Sequence, residues 1–151
     1  MTRPAGPPAT WPEPDGLRVV TVTGEDGLAD FERTVVEGFP LADARPLLPG
    51  RLFGPALLED RRWRFFVGYV GDEPVTTAAA LVEHGHNSVN FVATRPGARG
   101  RGYGEAVTWW ATRADPTLPA ALLASDPGRP VYERMGYRAE FRFTLWALSR
   151  S

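Results

Sequence analysis

A chain of 151 residues, 43% of them hydrophobic, has enough apolar side chain for one domain with a buried core and is not disordered by composition. Its formal net charge of -1 supplies no global basic field toward nucleic acid or membrane, and the absence of cysteine excludes disulfides, thiolate metal sites and a cysteine nucleophile. All 17 basic residues are arginines, so Schiff-base chemistry on a lysine and a lysine-bearing P-loop are both excluded.

No apolar run approaches the roughly 18 residues of a membrane span. The first residues lack the apolar stretch of a signal peptide. Together with the lack of cysteine, this leads to the expectation of a cytoplasmic protein. The richness in arginine, alanine, glycine and proline points to a GC-rich, bacterial genome.

Residues 1–16, MTRPAGPPATWPEPDG, hold five prolines and little periodicity. They read as an extended arm or linker, loose rather than docked through Trp11, with the domain proper at 17–151. LRVVTV (17–22) reads as a strand. Thr23 offers a helix N-cap, and Leu28, Phe31, Val35 and Phe39 recur at helical spacing until Gly38 and Pro40 end the run. Residues 40–60, broken by Pro46, Pro49 and Pro55, read as one or two short helices with loops.

RFFVGYV (64–70) and VTTAAALVE (75–83) flank the turn GDEP and read as a β-hairpin. SVNFVAT (88–94) follows the turn HGHN as a third strand. A helix is expected over 102–114, with Tyr103, Ala106, Val107, Trp110 and Ala114 on its apolar face, stopped by Asp115–Pro116. LPAALLAS (118–125) is the continuous apolar run of a strand covered on both faces. GRPVYERMG (128–136) reads as a short helix closed by Gly136, and AEFRFTLWAL (139–148) alternates as a last strand.

The segment VATRPGARGRGYGEAV (92–107) carries four glycines and three arginines between a strand and a helix. A turn there presents several backbone N–H groups at a helix N-terminus, which is an anion site. Glycine lets the backbone approach the anion closely, and Arg99 and Arg101 add forked donors suited to phosphate. The alternative is a surface turn with solvated arginines. The spacing is not the dinucleotide fingerprint, because Glu105 and Val107 stand where its last glycine would be. A disordered arginine-glycine tail does not sit between a strand and a helix.

The loop resembles the acyl-CoA signature of the GNAT superfamily of N-acetyltransferases, Arg/Gln-x-x-Gly-x-Gly/Ala, here Arg99-Gly100-Arg101-Gly102-Tyr103-Gly104 behind Pro96. A second motif of that family resembles LLASDPGRPVYERMGY, with Tyr132 and Gly136-Tyr137. The resemblance implies a mixed α/β domain of the GNAT fold, its mostly antiparallel sheet splayed between the family's fourth and fifth strands, and acyl transfer from acetyl-CoA to a primary amine without a metal. It implies that residues 99–104, Gly100, Gly102 and Tyr103 included, hold the CoA pyrophosphate, with Glu105 opening the helix. It further implies that Val92, Ala93 and Thr94 form a free strand edge for the pantetheine, and that Tyr132 protonates the departing thiolate.

Ser125 stands where the family often has a cofactor-contacting asparagine. Where some relatives use a strand glutamate as base, this sequence has Ser88, with Asn90 on the same face, and neither is a good base. His84, His86, Glu83 and Glu37 are the other titratable groups, of which His86 and Glu37 read first as solvated side chains. Trp109 is expected to pack simply and Trp110 to lie in the core. The expected partners are acetyl-CoA and an amine acceptor, with no nucleic acid, no membrane, and a homodimer as in many relatives. A non-catalytic acyl-CoA-binding sensor or interaction module is the alternative function.

Overall fold

The structure, a computed structural model, describes residues 1–7, 11–39 and 48–144. Among the described residues six strands form one sheet: β1 (Thr2–Arg3), β2 (Leu17–Thr21), β3 (Trp63–Val70), β4 (Glu73–Glu83), β5 (His86–Thr94) and β6 (Ala120–Leu122). Three α-helices accompany them: α1 (Glu25–Gly38), α2 (Tyr103–Thr112) and α3 (Arg129–Arg134). Short 3-10 turns lie at Pro55–Leu58 and Pro96–Ala98.

The strand order is β1-β6-β5-β4-β3-β2, antiparallel throughout except for the parallel pair β5–β6. That parallel pair needs a crossover, and α2 supplies it. The sheet separates two apolar layers. Phe65, Val67 and Ala79 meet Leu28, Phe31 and Val35 of α1 on one face. Phe66, Ala78, Ala80 and Val89 meet Val107, Trp109 and Ala111 of α2 on the other. This is the expected mixed α/β architecture, with the small side chains Ala78, Ala79 and Ala80 allowing both helical layers to close on the middle strand.

The β4–β5 hairpin is tighter than expected: only His84 and Gly85 form the turn, at φ 49° and 78°. Paired left-handed residues match the twist of a two-residue hairpin. Asn87, fully buried, then sets the end of α2. Its Nδ2 donates to the carbonyls of Thr112 at 3.1 Å and Asp115 at 2.8 Å, and its Oδ1 accepts from the Asp115 N–H at 3.0 Å. These are the orphan groups a helix leaves at its C-terminus.

Several expectations are corrected. The N-cap of α1 is Gly24, without a side-chain hydrogen bond, in place of Thr23. The strand expected over 118–125 is limited to Ala120–Leu122, and Leu123 is 74% exposed. The helical expectation for 40–60 is met only at Pro55–Leu58, with residues 40–47 outside the described ones. The alternating segment 139–148 is not a strand over 139–144, where Phe141 and Phe143 are exposed, and 145–148 lie outside the described residues.

The arm is docked rather than loose. Thr2 and Arg3 pair with Ala121 and Ala120, and Thr2 exchanges two backbone hydrogen bonds with Arg138. Arg3 donates from Nε to the Met135 carbonyl at 2.8 Å, and its guanidinium lies 4.6 Å from the Trp109 ring. Trp11 stands edge-on to Trp110 with ring centroids 6.0 Å apart. Trp110 is therefore no core residue: it is 36% exposed, while Trp109 is the buried member of the pair. Pairing across almost the whole chain leaves no local periodicity, which is why residues 1–16 read as unstructured.

Candidate active site

The parallel pair places a cleft between β5 and β6. On β5, β6 reaches Asn87, Ser88 and Val89, so among the described residues β5 from residue 90 onward has no strand partner on that side. On the other side β4 follows β5 to its end, with one irregularity: Thr77 pairs with Ala93 but Ala79 with Asn90. β5 thus carries one extra residue opposite Ala78, a β-bulge. Phe91 occupies it at φ 52°. A bulky side chain in the left-handed region costs on the order of 1–3 kcal/mol and persists only where surrounding contacts impose it. One such contact is the Thr77 hydroxyl, which donates to the Phe91 carbonyl at 3.1 Å.

The bulge shifts the alternation of the strand. Val92 and Thr94 line the cleft. Ala93 is buried on the α1 side, where a Cβ on Gly38 would come within 2.9 Å of its methyl group. Only its backbone remains for a ligand.

At the end of β5 the chain turns through Pro96–Ala98 into α2, with Gly102 as N-cap at φ 78° and Gly100 at φ 76°. Both positions need glycine, since other side chains are strained there. The helix makes its first bond from the Ala106 N–H to the Gly102 carbonyl. The amides of Tyr103, Gly104 and Glu105 accordingly have no intrahelical acceptor, and the helix dipole adds partial positive charge. Gly104 brings α2 against β5: a Cβ there would stand 3.1 Å from Thr94 Oγ1.

The arginines of the loop divide their work. Arg99 lines the cleft but spends donors on structure, from Nε to the Thr94 carbonyl at 3.1 Å and from Nη2 to the Gly38 carbonyl at 2.9 Å. It ties the loop to the end of α1. Arg101 faces a second hollow beside Glu37, Glu73 and Arg95. Sequence reasoning missed Arg134, which projects from α3 into the cleft with Nη2 3.4 Å from Glu105 Oε2. No local signal marks it, because its relation to the loop comes from the packing of α3.

The cleft encloses about 320 Å³ and brings together Val92, Thr94, Arg99, Gly100, Gly102, Tyr103, Gly104, Glu105 and Tyr132. Tyr132 stands on α3 with its ring 6.1 Å from that of Tyr137, edge to face. Burial raises the Tyr132 phenol above its ordinary value, so it keeps its proton at neutral pH. Tyr137 is the anchor beneath it, its hydroxyl 2.7 Å from Thr112 Oγ1 on α2.

Ser125 is not part of this lining. Its Oγ accepts from the Gly128 N–H at 3.3 Å and it borders a separate groove with Leu123 and Phe141. The candidate bases also stay outside the lining. His84 and His86 lie at the distant hairpin turn. Glu83 pairs with Arg62 at 3.2 Å, Glu37 pairs with Arg95 at 2.5 Å, and Asn90 donates to the Ser88 carbonyl at 2.9 Å. Among the described residues no cluster of three metal-ligating side chains occurs, and no helix is long and apolar enough to cross a membrane.

On the opposite face, Phe91 joins an aromatic cluster. Its ring lies 4.9 Å from Phe53, 6.4 Å from Phe31 and 6.3 Å from Trp63. Phe31 also meets Phe65 edge to face at 5.0 Å. Glu32 fixes the segment that delivers Phe53. Its carboxylate, 1% exposed, accepts from the amides of Gly50 at 2.6 Å and Leu52 at 2.7 Å. Sequence reasoning missed Glu32 as well, because a charged helix residue reads as solvated.

No protein-family model matches the sequence, and no curated protein matches it. Solved structures do match the fold. A GCN5-related N-acetyltransferase from Kribbella flavida is 23% identical with a TM-score of 0.62 over 91% of this chain and 54% of that one, so the chain spans about half of that protein's length. An acetyltransferase from Trypanosoma brucei is 22% identical with a TM-score of 0.67 over 87% of this chain and 99% of that one. A protein from Clostridium acetobutylicum, described as a predicted acetyltransferase with acetyl-CoA, is 17% identical with a TM-score of 0.60 over 87% and 96%.

Proposed function

We propose that this chain, which has the fold of the GCN5-related N-acetyltransferases, transfers an acetyl group from acetyl-CoA to a primary amine within a ternary complex. One observation carries the reading: a single cleft gathers a helix N-terminus with free amides, a free strand edge and a neutral tyrosine hydroxyl. An acyl-CoA supplies the activated acyl group as a thioester. The residues present suit it. The amides of 103–105, with Arg134 beside them, fit the pyrophosphate, and the open backbone of 92–94 fits the amide groups of pantetheine.

In this reading the amine nitrogen adds to the thioester carbonyl, and a backbone N–H of the free edge stabilises the oxygen as it gains charge. The carbon–sulfur bond then breaks, and the Tyr132 hydroxyl delivers its proton to the departing thiolate. A phenol is a weak acid for a thiol of pKa about 8.5, so its contribution rests on position. The surplus proton of the amine passes to water, and water returns a proton to the Tyr132 oxygen. The absence of cysteine favours this direct attack over a cysteinyl-acyl enzyme.

A non-catalytic acyl-CoA-binding module is the second reading, favoured by one fact: none of the candidate bases lines the cleft. One assay separates the two. Release of free thiol from acetyl-CoA in the presence of an amine panel supports the transferase. Tight CoA binding with no thiol release from any amine supports the module, and no CoA binding sinks both.

A further inference from the structure

The donor cleft leaves unexplained the strained residue at its border. Phe91 holds a left-handed backbone, and its ring is 38% exposed although it belongs to a cluster whose other phenylalanines, Phe31, Phe53 and Phe65, are buried. It sits one residue before Val92, on the opposite face of the same strand. We propose that Phe91, with Trp63 beside it, forms the acceptor site, and that the acceptor is a small primary amine on an aromatic or similarly flat apolar body. This rests on the acyl-transfer reading above.

The bulge is what creates the site. In regular alternation residue 91 would share a face with Val89, inside the α2 layer. The extra residue turns its ring to the α1 face instead, at the border of the splayed edge. The strained backbone is held by ring contacts on one side, and the exposed remainder of the ring is left for a ligand. The contacts already made are edge to face, at 84° with Phe31 and 86° with Phe53. A further ring packs favourably in the same way. Phe53, which packs against it, stands on a pre-organised segment, because both Glu32 oxygens accept from the amides of Gly50 and Leu52.

The chemistry of such a surface also addresses the proton on the acceptor. Both oxygens of the Glu32 carboxylate are occupied by backbone amides and the residue is buried, so it offers no ion pair to an ammonium. An apolar setting disfavours the charged amine and raises the fraction of free base, the form that attacks. A polycation finds no ion pair with Glu32 for its further charges. An arylalkyl amine gains ring packing and desolvation at the nitrogen together.

The test uses the full chain with acetyl-CoA, comparing 2-phenylethylamine and tryptamine with spermidine and glucosamine by thiol release. The expected result is a kcat/KM at least about tenfold higher for the aromatic amines. Phe91→Ala raises KM for 2-phenylethylamine by about tenfold or more and leaves CoA affinity unchanged. Phe91→Gly adopts the positive φ without strain, so it keeps the bulge and gives the same loss in a fully folded protein. Equal or better use of the polar amines, or an unchanged KM in a folded Phe91→Gly protein, overturns the proposal while leaving acyl transfer intact. If no amine is turned over, fluorescence titration with 2-phenylethylamine in the presence of CoA decides: saturable binding lost in Phe91→Gly supports the site, and absence of binding overturns it. Failure of the wild-type chain to bind CoA overturns the acyl-transfer reading, and this inference with it.

Discussion

Gly104 on α2 and Thr94 on β5 meet so closely that a single added methyl group would stand 3.1 Å from the threonine Oγ1. This approach sets the floor of the cleft. It brings the free amides at the start of α2 beside the end of the open strand edge. Thr94 is itself fixed from behind, 2.9 Å from Thr76 Oγ1.

The first prediction follows from that contact. Gly104→Val forces α2 and β5 apart at one point on the surface of the cleft, so CoA affinity falls at least about tenfold, worth about 1.4 kcal/mol. Calorimetric titration measures it, and circular dichroism checks that the domain remains folded. Unchanged affinity in a folded variant removes this loop as the cofactor site.

Tyr132→Phe keeps the ring and its packing against Tyr137 while removing the proton. A drop in kcat of about 10²-fold is expected, with CoA affinity unchanged. Because burial raises the phenol, its ionisation does not limit kcat at or below its ordinary value of about 10. A wild-type kcat profile with a limb that falls below pH 9 and disappears in the phenylalanine variant contradicts this assignment.

Asn87→Leu preserves volume but strands the carbonyls of Thr112 and Asp115 and the Asp115 amide. The expected loss is about 3 kcal/mol of unfolding free energy, or roughly 10 °C in Tm. Denaturant titration gives the first value and calorimetry the second. A loss below about 0.5 kcal/mol would mean that these groups find water.

The alkaline limit of stability follows from two tyrosines. Tyr69, partly desolvated and donating to Asp30 at 2.8 Å, is pushed up to about 12, and burial raises Tyr137 further. Both are raised in the folded state, so their contribution is complete below about pH 10. It is lost as pH rises, because the unfolded chain releases its phenolic protons first. Tyr137→Phe costs about 1 kcal/mol at neutral pH through its lost bond to Thr112. Above pH 10 it flattens the decline by about 1.4 kcal/mol per pH unit. Parallel wild-type and variant curves between pH 10 and 12 would place Tyr137 in contact with solvent.

The loop was legible in the sequence because its signal is local, whereas Tyr132 was marked through the family resemblance. Glycines sit where the backbone must be left-handed, and a strand and a helix bracket them. The free edge of β5 was legible only through the family resemblance, since no periodicity announces where β6 will leave its neighbour. The docking of Trp11 and the entry of Arg134 into the cleft depend on contacts between distant segments. Phe91 reads as an ordinary strand residue until the register with Ala79 shows the extra position. Glu32 and the alternating residues 139–144 mislead for one shared reason: pattern gives the character of a side chain but not the neighbour that answers it.

The docked arm has a consequence for self-association. Among the described residues the outermost strand beside β6 is β1, only Thr2 and Arg3, backed by a single bridge to Arg138. Two residues offer too few free amides and carbonyls to template a strand from another molecule. Uncovered, the apolar Ala120–Leu122 would present such a template, with Leu123 beside it. The first residues of the chain thereby act as a guard against edge-to-edge aggregation.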